Sequence, residues 1–352
     1  MAKTICGIQQ CGVGVVNAEE AWKWYRKHFG MDINVFEDTS VAKLMLPYTD
    51  GKPRERYAAL ALNMEGGGGF EIWQHTGIKP EGPDFKVLLG DYGIFIAKIK
   101  SRDIQKAYNE HKKRGLNLLS KLCQDPSGNT HYFVSDPYGN IFQVVHEAIN
   151  YKDQKSLTGG IYGATIGVSD IKKALAVYSD ILEYDEVVYD KEGVFSDFSG
   201  LPGGGQKCRR VLLKHSKKRT GPFSKLFGPT QIELVQVYDR QATKIFKDRI
   251  WGELGFIHLC FDIIGMDKLR KECAEKGFAF TVDSADSFEM GVAAGHFSYI
   301  QDPDGTLIEF VETHKLPIIE KLGWFMNLKG RNPKKSLPNW MVNTMSFKRI
   351  KE

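Results

Sequence analysis

The sequence predicts an α+β protein built from four βαβββ modules in two tandem halves. Two observations carry this prediction. Four segments repeat the same order of a short apolar strand, a turn residue, an amphipathic helix and further strands. Each segment also ends in an apolar strand that a single polar residue interrupts. At 352 residues the chain has ample length for such a repeated architecture.

Segments one and three share a helix signature. In each, an Asx residue follows an apolar strand, an alanine comes four residues later and a tyrosine eight residues later. The Asx residues are Asn17 and Asp170, and the tyrosines are Tyr25 and Tyr178. This spacing places alanine and tyrosine on one helix face, which we expect to pack on a sheet. Asn17 is predicted to cap the first helix.

Segments two and four have shorter versions of the same unit. Helices are predicted near residues 103–114 and 266–276, and glycine follows each as Gly115 and Gly277. Glycine just past a helix is the expected C-terminal stop. Both segments introduce their last strand by a tight turn, Asp-Pro-Tyr-Gly at 136–139 and Asp-Pro-Asp-Gly at 302–305.

The spacing between the helix start and the polar residue of the last strand alternates along the chain, in the order long, short, long, short. This order indicates that a half of two segments has been duplicated. We expect a first half at residues 1–150, a second half at 151–320, and a C-terminal extension at 321–352 that is rich in lysine and arginine.

Composition excludes several classes of protein. Charged residues make up 26% and hydrophobic residues 42%, as in an ordinary globular protein. The net charge of +5 is concentrated near the C-terminus, so the body of the protein is almost neutral. We therefore expect no nucleic-acid partner, because such binders usually carry basic residues along a folded face. The sequence has neither a membrane-length apolar run nor a secretory signal, and it predicts a cytoplasmic protein without membrane association.

The polar residues in the last strands are candidate site residues. A carboxylate within an apolar strand is costly unless it is paired, coordinated or solvated. A solvated sheet face would explain any one of them. Their recurrence in the same position of every segment instead indicates groups that point into shared sites. The four residues are Glu71, Gln143, Glu233 and Glu309.

The first strands contribute a second recurring position. It holds Gln10 in segment one, Gly163 in segment three, and His258 in segment four, whereas segment two has Ile94 or Ile96 there. A single strand histidine is often structural. His258, however, has apolar alternating neighbours and lies in the segment that supplies a glutamate from its last strand.

These motifs resemble the vicinal oxygen chelate superfamily, which includes glyoxalase I, extradiol dioxygenases and bleomycin-resistance proteins. The resemblance rests on the four modules, the helix signature that ends in tyrosine, and the sequence Asp-Pro-Asp-Gly-Thr-Leu-Ile-Glu at 302–309. It implies that modules pair to form curved, mixed β-sheet cups with the helices outside. It also implies that first-strand and last-strand residues in a cup bind one divalent metal ion.

The pairing of modules decides which residues meet. Pairing one with two and three with four gives Gln10, Glu71 and Gln143 in one cup, and Glu233, His258 and Glu309 in the other. Pairing one with four gives a complete set and leaves the other cup without one. We favour this second arrangement, whose ligand set resembles that of glyoxalase I. The predicted metal ligands are Gln10, Glu71, His258 and Glu309.

Such a site suits Zn²⁺, Ni²⁺, Co²⁺, Mn²⁺ or Fe²⁺. The leading hypothesis is a glyoxalase I-like lyase or isomerase that moves a proton between adjacent carbons of a small oxygenated substrate through a metal-bound enediolate, with Glu309 or Glu71 as the base. Glyoxalase I has an arginine four residues after its first ligand, where this chain has Gly14, so glutathione is a doubtful thiol.

Two alternatives stay open. One is an Fe²⁺-dependent extradiol dioxygenase, which needs two histidines and one carboxylate. The other is a non-catalytic protein that binds small molecules or confers resistance. His75 is expected either to line the cup or to lie on the surface. Four fused modules can complete a cup within one chain, so a monomer is expected, with a homodimer as the alternative.

Overall fold

The chain folds into two mixed β-sheets, and the helices pack against the sheet faces opposite the cups. The structure is a computed structural model that describes residues 3–285, 288–290, 293–319 and 324–351. The first sheet has 10 strands and the second has nine. The predicted α+β class, with four βαβββ modules forming curved sheets, is confirmed.

Modules one and two come from the first half of the chain. The elements of module one are β1 (Thr4–Gly14), α1 (Ala18–Phe29), β2 (Ile33–Ala42), β3 (Arg54–Leu62) and β4 (Gly69–His75). Those of module two are β5 (Gly93–Ser101), α2 (Ile104–Lys113), β6 (Asn117–Leu118), β7 (Cys123–Gln124), β8 (Thr130–Ser135) and β9 (Ile141–His146).

Modules three and four follow the same plan. The elements of module three are β10 (Ile161–Gly167), α3 (Ile171–Tyr178), β11 (Glu186–Gly193), β12 (Cys208–Lys214), α4 (Ser224–Phe227) and β13 (Gln231–Val237). Those of module four are β14 (Gly255–Ile264), α5 (Met266–Glu275), β15 (Val282–Asp283), β16 (Phe288–Met290), β17 (Ala293–Gln301) and β18 (Leu307–Ile319). In the part of the chain described, no helix is both long and apolar enough to cross a membrane.

The helices begin and end where the sequence predicts. The side chains of Asn17, Asp103 and Asp170 accept hydrogen bonds from backbone N–H groups in the first turns of α1, α2 and α3. Gly115 and Gly277, just past α2 and α5, have φ values of 72° and 86°. Glycine reaches this left-handed region without steric cost, which explains the stops.

The modules pair one with four and two with three. The strand order of the first sheet is β15-β17-β18-β14-β1-β4-β3-β2, and that of the second is β11-β12-β13-β10-β5-β9-β8-β6. The centre of the first sheet is the antiparallel pair β1 and β14, and the centre of the second is the antiparallel pair β5 and β10. Each sheet therefore takes one module from residues 1–150 and one from residues 151–320.

Strand alternation separates the main core from the two cups. On β1, Cys11 and Val13 enter the largest apolar cluster, which lies between the sheets and includes the buried faces of the helices. The alternate positions, Gln10 and Gly12, face the opposite side of the same strand. A separate apolar cluster fills the concave side of each sheet, around Trp73 in the first and Phe133 in the second.

Two of the recurring sequence motifs bind each other across the sheets. The hydroxyl of Tyr25 on α1 donates to the carboxylate of Asp136, in the turn before β9, at 2.7 Å. Tyr178 on α3 makes the equivalent bond to Asp302, before β18, at 2.9 Å. All four residues are buried. Since each tyrosine and its aspartate belong to different sheets, these bonds join the two sheets.

The C-terminal extension packs back onto the body. Its strand β19 (Trp324–Asn327) pairs with β18, and a short helix, α6 (Asn339–Asn343), follows. Leu337 is buried, and the backbone N–H of Ile350 donates to the carbonyl of Asp32 beside β2. The predicted boundary at 320/321 lies outside the described residues.

The second cup encloses a charge network instead of a ligand set. Glu233 on β13 is fully buried, and four side chains surround its carboxylate. Lys98 Nζ donates to it at 2.7 Å, Arg210 Nε at 2.8 Å, Tyr189 Oη at 2.6 Å and Thr165 Oγ1 at 3.1 Å. Burial alone would raise the pKa of Glu233, but Arg210 and Lys98 outweigh it and hold that pKa well below its usual range.

The position of Lys98 explains why this cup differs from the first. Lys98 pairs with Gln143 on β9, just as Cys260 pairs with Glu309 on β18, so lysine and cysteine occupy equivalent positions. The ammonium group of Lys98 is therefore a built-in cation for Glu233. As predicted for this pairing, the cup has Gly163 and apolar residues where the first cup has Gln10 and His258.

Replacing Lys98 tests the importance of this network. In Lys98→Met the carboxylate of Glu233 loses one of its two cationic partners in a dry environment, and we expect the free energy of unfolding to fall by about 3–5 kcal/mol. Urea unfolding at pH 7 measures the change. Lys191→Met, which alters an exposed lysine on the same sheet, is the control. A loss equal to that of the control would contradict the prediction.

Glu233 also predicts a dependence of stability on pH. Its pKa is lowered on folding, so its contribution is complete above the ordinary value of 4.5 and is lost as the pH falls below that value. We expect the difference in unfolding free energy between the unmodified protein and Glu233→Gln to be constant from pH 7 to about pH 5. It should shrink at lower pH. Urea titrations across this range test it, and a difference that grows on acidification would refute it.

Candidate metal centre

The centre of the first sheet brings together side chains from the first and last thirds of the chain. Strand β1 lies between β4 and β14. Its residue Gly12 is opposite Glu71 on β4 and opposite His258 on β14. Residues in register on neighbouring strands point to the same face of a sheet. Glu71 and His258 therefore converge over Gly12 on the concave side.

Strands β14 and β18 complete the group. Cys260, two residues beyond His258, is opposite Glu309 on β18 and opposite Gln10 on β1. The amide nitrogen of Gln10 donates to Oε2 of Glu71 at 3.3 Å and to Oε2 of Glu309 at 3.5 Å. All four predicted ligands thus lie at one place in the first cup.

The distances suit a common cation. His258 Nε2 lies 3.1 Å from Oε2 of Glu71 and 3.1 Å from Oε2 of Glu309. One ligand atom from each of these three residues lies within 4.8 Å of the others. His258 is fully buried and Glu309 is nearly so, whereas the side chain of Glu71 keeps 14% of its surface exposed. Glu71 is therefore the ligand nearest to solvent.

Unpartnered polar atoms indicate that these four side chains can bind a further ligand. Among the described residues, Nδ1 of His258 and Oε1 of Gln10 are buried without a hydrogen-bond partner. Buried polar atoms are rarely left unsatisfied. Imidazole nitrogen, amide oxygen and carboxylate oxygen are all ligands of divalent transition-metal ions. The donor set and its unsatisfied atoms therefore fit a divalent metal ion.

Gly12 makes room for the imidazole ring. A Cβ atom at this position would lie 2.6 Å from Cε1 of His258 and 2.9 Å from both ring nitrogens. Contacts this short do not occur between real side chains, so any other residue would displace the ring. Glycine at position 12 therefore allows His258 to take its place in the cup, although Gly12 itself offers no side-chain ligand.

The negative charge of the site acts on the histidine. Burial lowers the pKa of His258, but the carboxylates of Glu309 and Glu71 outweigh burial and raise the pKa to about 10. Without a cation, the imidazolium supplies the positive charge that the two carboxylates require. A bound metal ion would supply this positive charge in place of the imidazolium, because a histidine ligand must be neutral.

Aromatic residues surround the site on the concave side. Tyr299 on β17 is opposite Glu309 in the sheet, and its ring meets the imidazole of His258 edge to face, with centroids 5.6 Å apart. Trp73, on the same face of β4 as Glu71, packs against Trp251 at 4.5 Å. Burial and the nearby carboxylates keep the pKa of Tyr299 well above its ordinary value. The site is therefore an acidic group within apolar walls.

The segment before β14 covers this part of the cup. The backbone N–H of Trp251 donates to the carbonyl of Tyr48, and His75 Nε2 lies 3.1 Å from the carbonyl of Trp251. His75 is therefore buried, and it contacts the segment that covers the cup. A Cβ atom at Gly14 would lie 1.9 Å from the carbonyl oxygen of Glu253. This position therefore has no space for the arginine that glyoxalase I carries.

Four contributors to the site were not anticipated. Gly12, Cys260, Tyr299 and Trp251 were missed. The register signal for Tyr299 was available, because it precedes the 302–305 turn by about the distance at which Glu309 follows it. Trp251 could also have been found from the repeat, because Trp-Gly-Glu-Leu-Gly at 251–255 before β14 parallels Leu-Gly-Asp-Tyr-Gly at 89–93 before β5.

Comparison with known proteins agrees with this architecture. Residues 7–144 match the model of the Glyoxalase/Bleomycin resistance protein/Dioxygenase superfamily. Glyoxalase I from Zea mays is 14% identical, with 88% of this chain and 92% of that chain covered and a TM-score of 0.55. A putative dioxygenase from Bacillus subtilis subsp. subtilis str. 168 is 13% identical, with 88% and 86% covered and a TM-score of 0.59.

No curated protein matches in a sequence search. At these identities the solved structures establish the fold, not a reaction. The family model and the shared architecture of both sheets agree with each other. The family match is therefore to the first two modules, residues 7–144, and the solved structures extend the shared fold to 88% of the chain.

Proposed function

We propose that the protein is a metal-dependent enzyme that moves a proton between adjacent carbons of a small oxygenated substrate, as a glyoxalase I-like lyase or isomerase does. One observation carries the proposal. Glu71, His258 and Glu309 converge from distant parts of the chain, and Nδ1 of His258 is buried there without a hydrogen-bond partner among the described residues. Gln10 supplies an amide beside them.

A divalent ion bound here would polarise a substrate carbonyl and stabilise the negative charge that develops as a proton leaves carbon. Gln10, Glu71, His258 and Glu309 would hold it. The arrangement does not select among Zn²⁺, Ni²⁺, Co²⁺, Mn²⁺ and Fe²⁺, because each accepts nitrogen and oxygen ligands.

The carboxylates are the proposed bases. Proton transfer between adjacent carbons needs one group that removes a proton and returns it to the neighbouring carbon. Glu71 is the better placed of the two, because its side chain is 14% exposed and that of Glu309 is 10% exposed. Glu309 remains the second candidate, since its carboxylate meets the same imidazole nitrogen at the same distance.

The walls of the cup restrict the substrate. Trp73, Trp251 and Tyr299 offer aromatic surface, and Gly14 offers no charge for a glutathione carboxylate. A small substrate with two adjacent oxygen functions and an apolar remainder fits these walls. This argues for a thiol adduct smaller than a glutathione adduct, or for a substrate without a thiol.

The donor set weighs against an extradiol dioxygenase. That chemistry uses two histidines and one carboxylate. Among the described residues, the group that could hold an ion contains one histidine and two carboxylates. A non-catalytic binding protein would share the cup but would not need the ion.

His258→Ala tests the proposal directly. We expect the protein purified without chelators to contain about one divalent ion per chain, and His258→Ala to lose it because the nitrogen ligand is gone. Mass spectrometry measures the metal content. Isomerisation of the hemithioacetal of a 2-oxoaldehyde with 2-mercaptoethanol measures activity, which His258→Ala should abolish.

The matched control is His146→Ala, which removes an exposed histidine at the end of β9. It should retain metal and activity. A fully metallated, active His258→Ala protein would refute the proposal. A metal-free unmodified protein would favour the binding protein, and iron with catechol-dependent O₂ uptake would favour the dioxygenase.

Gly12→Ala tests the geometry without removing a ligand. The added Cβ would meet the imidazole at 2.6 Å and push it out of place. We expect metal affinity to fall about 10–100-fold, as it does when groups that orient ligands are altered. Titration with Zn²⁺ by calorimetry measures the change. Gly205→Ala is the control, because nothing lies within 4 Å of a Cβ there, and equal affinities would contradict the prediction.

A further inference from the structure

A cavity of about 510 Å³ lies away from both cups. We call it the basic cavity. Its walls come from four parts of the chain: the joint between the halves at 149–151, the segment 214–219 at the end of β12, residues 224–230 around α4, and Asn339 at the start of α6. It shares no residue with the candidate metal centre.

The lining of the basic cavity carries charge of one sign. Among the described residues that line it, five are lysine or arginine and none is acidic. Arg219 is already engaged, since it pairs with Glu183 and donates to the carbonyl of Ile5. The remaining four make no ion pair with any residue in the described ranges. These are Lys214, Lys217, Lys218 and Lys225.

A buried ammonium group adds to the positive charge around the basic cavity. Lys100 is 3% exposed, and its Nζ donates to the carbonyl of Ile149, a residue of the cavity wall, at 2.9 Å. The same Nζ would lie 3.7 Å from a Cβ atom at Gly228 on another wall. The carboxylates of Glu147 and Glu65 act on Lys100 and offset part of its charge, but neither residue lines the cavity.

The remaining walls are partly apolar and include the rings of Tyr151 and His215. Ile149 is 56% exposed, and Tyr151 lies next to it with its hydroxyl bound to the carbonyl of Asn339. His215 stacks on Tyr184 at 3.9 Å and bonds the carbonyl of Leu182 through Nε2. Burial lowers the pKa of His215 to about 4, so its ring is a neutral surface.

We infer that the basic cavity binds a small molecule with two or more phosphate groups and a planar portion, of the class of a nucleoside diphosphate. Unpaired lysines that face one space repel one another, and a polyanion removes this repulsion. Lysine is a suitable point charge for phosphate. The volume lies within the usual range for small-molecule sites and exceeds what a single phosphate ion fills.

Calorimetric titration of the full chain with ADP, without added divalent metal, tests the inference. We expect saturable 1:1 binding that weakens as salt is raised. Lys217→Ala/Lys218→Ala should weaken ADP binding about tenfold, because two exposed charges are lost. Lys217→Arg/Lys218→Arg should restore most of the affinity, since the charge returns.

Three controls make the result specific. Lys172→Ala/Lys173→Ala removes two adjacent exposed lysines on α3 and should leave ADP affinity unchanged. Adenosine, which lacks phosphate, should not bind. His258→Ala should keep its ADP affinity even if it loses metal, so failure of the inference and failure of the proposed function are separate results.

Several outcomes would overturn the inference. These are an absence of ADP binding at millimolar concentration, equal affinity in the two alanine pairs, and binding of duplex DNA or an acidic peptide that displaces ADP with greater affinity. The last outcome would identify the surface as a macromolecular one.

Discussion

The antiparallel pairing of β1 with β14 is the constraint on which the rest of the structure depends. It puts Gly12 opposite His258 and brings the first module beside the last. A shift of one residue in this register would turn His258 out of the cup, because successive side chains point to opposite faces of a strand. The proposed metal centre therefore depends on a backbone register that is set between residues more than 240 positions apart in the sequence.

The two cups show two solutions to the same electrostatic problem. A carboxylate inside an apolar sheet needs positive charge. In the second cup, the ammonium of Lys98 and the guanidinium of Arg210 supply it permanently to Glu233. In the first cup, the imidazole of His258 is the titratable cation that meets Glu71 and Glu309 among the described residues, and the proposed metal ion would displace its proton. The charge of Glu233 in the second cup is balanced by fixed side chains. In the first cup, the proposed metal ion would replace the proton of His258.

Much of this arrangement could be predicted from the sequence because duplication leaves a repeated pattern. The helix caps, the tyrosines of α1 and α3 and the Asp-Pro-x-Gly turns recur at fixed positions, and they predicted the modules and the candidate ligands. Residues outside the repeat were invisible to this reasoning. Lys98 belongs to a repeated strand, but its long side chain reaches Glu233 on another module, and only the pairing shows this contact. The segment at Trp251 has a counterpart at Leu89 before β5, but the strand β19 lies in the C-terminal extension, beyond the four modules.

The mixed origin of each sheet has a consequence for the order of events at the ribosome. Gln10 and Glu71 emerge early, but their partners on β14 and β18 belong to the last third of the chain. A nascent chain that ends before Glu309 has neither a finished cup nor a complete ligand set. The proposed metal centre can therefore form only after β18 has been synthesised.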